Sequence, residues 1–173
     1  MSYPSASLKL PDQLTIRLEG AVAAALAIKA AHAGQEPADF ATDAIARAVR
    51  DAMPDQNAGR RLDAELALKA RVIELARRLS PPSAFDPDVT LKVFQTIGAD
   101  PDLRQLYVAA VGRSLNERGQ HTDKSRINRE IGATVKSALG ARIQTIDGIH
   151  PVKVQVSKQL MYSYTRLQPA PQA

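Results

Sequence analysis

From residue 13 the chain alternates polar and apolar side chains for six positions and then changes period. In "QLTIRLEGAV", Leu14, Ile16 and Leu18 fall on one side of an extended chain, and Gln13, Thr15 and Arg17 on the other. Helical spacing follows at once. Val22, Leu26, Ala30 and Ala33 recur through "AVAAALAIKAAHAG", and Gly34 stands where a left-handed residue ends a helix. Pro37 suits a first helical turn, and Phe40, Ala41, Ala44, Ile45, Ala48 and Val49 mark the apolar face of a second helix in "PADFATDAIARAVRDAM". A single short strand leaves its backbone groups unpaired unless another chain completes it, so strand, helix, tight turn and helix predict a homodimer. Leu14, Ile16, Leu18, Leu26, Phe40, Ile45 and Val49 are its expected core. "SLKLP", residues 7–11, also alternates. Taking it as the strand would run the first helix through Thr15, Ile16 and Gly20, which are poor helix formers.

Beyond the head, "PDQNAG" at 54–59 reads as a turn-rich linker. "RRLDAELALKARVIELARRLS" reads as a long amphipathic helix, whose Leu68, Val72, Leu75 and Leu79 form an a/d-like seam. Two heptads are too few for a coiled coil, so this seam is expected to pack on the C-terminal domain; Pro81 and Pro82 stop the helix. "DPDVTLKVFQTIG" predicts a short helix with Val89, Val93, Phe94 and Ile97 inward. "DPDLRQLYVAAVGRSLNE" predicts a longer one, capped by Asp100 and Pro101, with Leu103, Leu106, Tyr107, Ala110, Val111 and Ser114 as its buried stripe. After the polar stretch "RGQHTDKS", the helix "RINREIGATVKSALG" sets Ile127, Ile131, Val135 and Leu139 opposite Arg126, Arg129 and Lys136. "RIQTIDGIHPVKVQV" carries two alternating runs around Asp147, Gly148 and Pro151, the pattern of a β-hairpin. "KQLMYSYTRL" suits a terminal helix or a further strand, with Met161 and Tyr164 in the core.

Charge sharpens this division. Residues 1–52 carry five basic and six acidic side chains, residues 53–112 eight of each, and residues 113–173 ten basic against four acidic. The basic excess thus lies in the last third, which points to a polyanionic partner or to a surface whose charge serves only solubility. With no cysteine, and His32, His121 and His150 never at i, i+4 spacing, no metal site is expected. No Gly-rich phosphate loop, Gly-x-Ser-x-Gly elbow or cysteine nucleophile is present, and His121, Asp123 and Lys124 are the only cluster of acid-base groups; the chain is not expected to be an enzyme or to carry a cofactor. The N-terminus lacks a basic region followed by an apolar one, and no apolar run is long enough to span a bilayer. A cytoplasmic protein without membrane contact is expected.

The segment from Gln13 to Met53 resembles the ribbon-helix-helix superfamily of DNA-binding proteins, to which the Arc and MetJ repressors belong. The residues that carry the resemblance are the "LTIRL" strand, the helix ending at Gly34, the short polar turn and the "F...AI..AV" pattern of the second helix. It implies an antiparallel ribbon shared by two chains, whose polar face, Gln13, Thr15 and Arg17, enters the major groove. Those side chains suit base readout, since Arg forks onto guanine, Gln pairs with adenine, and the Thr methyl meets that of thymine. The family also holds a phosphate at the start of its second helix, here Glu36 to Phe40, although Glu36 and Asp39 are acidic.

The expected fold is mainly α with short β. It comprises a flexible arm (1–12, with Lys9 near a phosphate), a ribbon-helix-helix dimerisation and DNA-binding head (13–53), a linker and amphipathic helix (54–82), a basic C-terminal α/β domain (83–167) and a disordered tail (168–173). The C-terminal domain is open between two readings. It is either winged-helix-like, with Arg126, Arg129 and Lys136 meeting DNA, or a small domain for oligomerisation or protein contact. The expected function is sequence-specific binding of double-stranded DNA by a homodimer or higher oligomer, as a transcriptional repressor or a plasmid and conjugation accessory factor. The alternatives are an assembly module in which the ribbon serves only dimerisation, or an antitoxin that binds its toxin through the C-terminal domain.

Overall fold

A computed structural model describes residues 15–53, 55–112 and 121–170, without the side chains of 121 and 122. The expectations placed on Lys9, Gln13, Leu14, Ser114, the arm at 1–12 and "SLKLP" lie outside the described residues. The protein is mainly helical, with a few short antiparallel strands near the C-terminus.

Residues 15–19 belong to no helix or strand and lead, through an extended Glu19 with φ −65° and ψ 150°, into α1 (Gly20–Ala33). Gly34 ends α1 in the left-handed conformation, with φ 70°, and α2 (Pro37–Val49) follows after a short turn and opens on Pro37. This φ favours glycine, and a Cβ there would also displace the flexible end of the Arg77 side chain. A 3₁₀ turn, Arg50–Ala52, continues α2, and α3 (Gln56–Leu79) begins within the segment that reads as a linker, at its third residue. Its start is explained by Asp55, which accepts a hydrogen bond from the Asn57 backbone N–H at 2.8 Å. "QNAG" therefore forms a first helical turn, and Gly59 is buried close to the Arg50 side chain.

The 24-residue α3 is the hub of the C-terminal core. It packs against α4 (Val89–Ala99), α5 (Pro101–Val111) and α6 (His121–Ala138). Leu68, Val72 and Leu75 of the seam are buried among Phe94, Tyr107 and Val135, and Leu79 packs at the edge. The helix stops at Leu79 before Pro81. Ser80 Oγ, buried there, accepts a hydrogen bond from the Asp86 backbone N–H at 2.9 Å. Asp100 caps α5 by accepting from the N–H groups of Asp102 and Leu103, and Gly112 closes it with φ 73°. The helix expected to run on through Glu117 thus ends at a left-handed glycine.

Two details of the C-terminal part correct the reading from sequence. First, α6 starts at His121, within the stretch that reads as a polar turn; no proline or glycine between 121 and 125 opposes a helix, and Asp123 suits its positive N-terminal end. Second, "RIQTIDGIHPVKVQV" does not close on itself as a wing. β1 (Arg142–Ile143) pairs with β4 (Leu167–Gln168), and β2 (Lys153–Gln155) pairs with β3 (Ser163–Thr165), both antiparallel. The two runs meet each other only at the Thr145–Pro151 bridge, in an excursion whose tip leaves Ile146 and Ile149 bare. Pro151 stands at a non-hydrogen-bonded position there, flanked by the bonds from Ile146 N–H to the His150 carbonyl and from Val152 N–H to the Gln144 carbonyl, and beyond it the Gln144 N–H turns to the Arg166 carbonyl instead. Of the segment open between helix and strand, 158–162 are bends and the second half is strand, and Gln168, expected in the tail, pairs with Arg142. Met161 and Tyr164 are core. No described helix is long and apolar enough to cross a membrane.

Candidate nucleic-acid interface

Thr15 to Leu18 are exposed and belong to no helix or strand. Among the described residues their backbone groups make no hydrogen bond; the first in this region runs from Ala23 N–H to the Glu19 carbonyl. In an extended chain Thr15 and Arg17 fall on one side and Ile16 and Leu18 on the other. Ile16 is 52% and Leu18 45% exposed, an unusual state for two large aliphatic side chains so close together. Val22 on α1 and Ile45 and Val49 on α2 are bare to a similar degree, while Leu26 is half-buried.

The second helix divides its apolar residues in a way that periodicity alone does not show. Ile45 and Val49, one turn apart, look outward. The opposite side of α2 carries Asp43, which is buried, and Phe40, which is half-buried. Phe40, expected in the dimer core, is half-buried beside Ala33, Lys69 and Arg77 of its own chain. Asp43 takes the ammonium of Lys69 at 2.8 Å and the amide of Gln35 at 2.7 Å. Arg50 forks onto Asp63, with contacts of 2.6 to 3.1 Å, so its guanidinium holds the Asp63 carboxyl below the usual range. Two ion pairs thus fasten the head to α3.

In the C-terminal part the three basic candidates separate. Arg126 is turned to its own chain, bonded to Glu65 of α3 and to Glu130 one turn along α6 at 2.8 Å; these carboxylates raise its pKa further. Its charge holds α6 on α3, so it is unsuited to the phosphate contact expected of it. Arg129 and Lys136 are exposed. They flank a groove of about 340 Å³ between α6 and the strands, whose other wall includes Ile143, Ser163 and Thr165. At the far end of the strands, Asp88 accepts the fork of Arg166 at 2.7 and 2.8 Å and the Tyr164 hydroxyl at 2.7 Å, which ties the start of α4 to β3 and holds the Asp88 carboxyl below its ordinary range.

No protein-family model matches the chain, and neither a curated protein nor a solved structure does.

Proposed function

We propose that the chain is a dimeric, sequence-specific DNA-binding protein of the ribbon-helix-helix kind. In it, residues 13–18 of two copies pair as an antiparallel ribbon and present Gln13, Thr15 and Arg17 to the major groove. The observation that carries this reading is the head itself. A segment outside any helix or strand, without backbone partners among the described residues, precedes two helices joined at Gly34, and Ile16, Leu18, Val22, Ile45 and Val49 are all uncovered. Aliphatic side chains clustered at the surface of so small a unit mark an interface. A second copy satisfies both needs at once, since ribbon pairing supplies the hydrogen bonds and its helices cover the aliphatic residues. Such a dimer would act as a transcriptional repressor or as a plasmid and conjugation accessory factor.

One observation favours a second reading, in which the ribbon only joins two chains. Residues 1–52 carry one more acidic than basic side chain, whereas phosphate neutralisation supplies much of the affinity of DNA-binding proteins. Sedimentation equilibrium together with fluorescence anisotropy on duplex DNA separates the two. The proposal expects a dimer that Ile45→Asp with Val49→Asp dissociates, and a preference among duplexes that Thr15→Ala with Arg17→Ala removes without changing the oligomeric state. A dimer that binds no duplex supports the assembly module, and a monomer refutes both.

A further inference from the structure

We infer that the groove between α6 and the small strands is a second DNA contact, one that grips phosphates without reading sequence. Residues 121–170 carry eight basic and three acidic side chains, an excess equal to the +5 of the whole chain. All three acids are already engaged: Asp123 by Arg61 at 3.7 Å, Glu130 by Arg126 at 2.8 Å and Asp147 by His150 at 2.6 Å. Arg126 and Arg166 are neutralised by carboxylates as well. Among the described residues, Lys124, Arg129, Lys136, Arg142, Lys153 and Lys158 have no carboxylate at salt-bridge distance. Six cations left without counter-charge repel one another, and a polyanion relieves that repulsion.

Two of these cations line the groove, and a third, Lys153, stands on the neighbouring strand β2. Arg129 and Lys136 stand seven residues apart on α6, which places them on one side of the helix and about 10 Å apart along its axis. Arg129 gives one N–H to the Ser125 carbonyl at 3.3 Å, and its remaining donors are exposed. Gly132 lies between the two on the groove wall, where a Cβ would meet nothing within 4 Å, so a backbone can approach α6 closely. Ser163 and Thr165 belong to the opposite wall, and Lys153 is the register partner of Thr165, on the same face of the ladder. Arginine and lysine on the α6 wall, with lysine on the strand beside the other, are of the donor types that contact sugar-phosphate backbones. Cations about 10 Å apart along a helix axis suit a repeating phosphate chain better than a single small anion.

This second contact is independent of the ribbon reading, because the excess charge and the groove belong to other elements. The test uses the full chain with Arg129→Ala, Lys136→Ala and Lys153→Ala together, all exposed positions whose loss spares the core. Anisotropy on a random-sequence duplex is measured across a salt series, in the wild-type background and in the Thr15→Ala, Arg17→Ala background. Each phosphate that the protein ceases to neutralise lowers the slope of log K against log salt by about 0.9, so the triple variant should reduce the slope by about 2 to 3 in both backgrounds. Affinity for random duplex at low salt should fall at least about tenfold, while any preference among sequences persists. Unchanged slope and affinity overturn the inference. So does a triple variant that loses binding to polyglutamate and keeps its DNA affinity, since the groove would then serve an acidic protein. Failure of the ribbon reading shows separately, as an unaltered sequence preference in the Thr15→Ala, Arg17→Ala chain.

Discussion

Replacing Lys69 with Met removes the cation that faces Asp43 while keeping most of the side-chain volume. Asp43 is 6% exposed at its side chain and Lys69 23%, so the carboxylate sits away from water and the ammonium lies at its mouth. Breaking a fully buried ion pair costs about 3 to 5 kcal/mol, because the survivor keeps its desolvation cost without its partner. Here water reaches the site from the lysine side, and Gln35 still donates to Asp43 at 2.7 Å, which lowers the expected cost to about 2 to 3 kcal/mol. That cost falls on the docking of α1 and α2 onto α3, since the core of α3 to α6 does not include Asp43. At 1.36 kcal/mol per tenfold, amide hydrogen exchange in α2 should quicken by about 30- to 150-fold, with the protected amides of α4 and α5 unchanged. Asp43→Leu added to Lys69→Met should recover most of the protection, as an apolar pair of similar volume needs no counter-charge. Less than about threefold acceleration in α2, or an equal change throughout α4 and α5, would refute the reading of this pair as the head's fastening.

Asp88 is expected to make stability depend on acid. Its carboxyl is held low, chiefly by the Arg166 fork and then by the Tyr164 hydroxyl, so its contribution is full above the ordinary carboxylate value near about 4 and is lost as pH falls through the depressed folded value. Urea titrations should show Asp88→Asn about 1 to 2 kcal/mol less stable than wild type at pH 7, discounted for the partial exposure of Arg166, with the gap closing below about pH 4. Tyr107→Phe leaves Asn128 Oδ1 without the hydroxyl that meets it at 2.7 Å, and denaturation should register a loss of about 1 to 2 kcal/mol. Gly34→Ala forces a side chain into φ 70° against Arg77, and should speed exchange in α1 and α2 in the manner of Lys69→Met, by a factor set by about 1 to 2 kcal/mol.

Local chemistry was legible along the chain. Gly34, Pro37, Asp100 and Pro101 mark helix ends because their φ preferences and cap geometry act within one turn. The stripes of α3, α4 and α5 could be read because each buries one face in one core. Features that depend on partners distant in sequence stayed hidden. β2 finds β3 ten residues on, and β1 finds β4 across twenty-five, which no alternation pattern specifies. The basic face of α6 looks uniform in sequence, yet Glu65 claims Arg126 and leaves Arg129 free of any carboxylate among the described residues, because only the packing of α6 on α3 brings Glu65 near. Similarly, Asp43 divides the faces of α2 only once Lys69 is beside it. Asp55 is visible as a cap, but Gly59 makes its segment look like a linker and so masks the helix start.

The most direct measurement is selection of duplexes from a random-sequence pool by the full chain, in parallel with the Thr15→Ala, Arg17→Ala chain. A two-fold ribbon predicts enrichment of a short inverted repeat by the first and its disappearance with the second, while both retain affinity for DNA at low salt. Enrichment of the same motif by both chains, or of none by either, would contradict the reading of residues 13–18 as the DNA-reading ribbon.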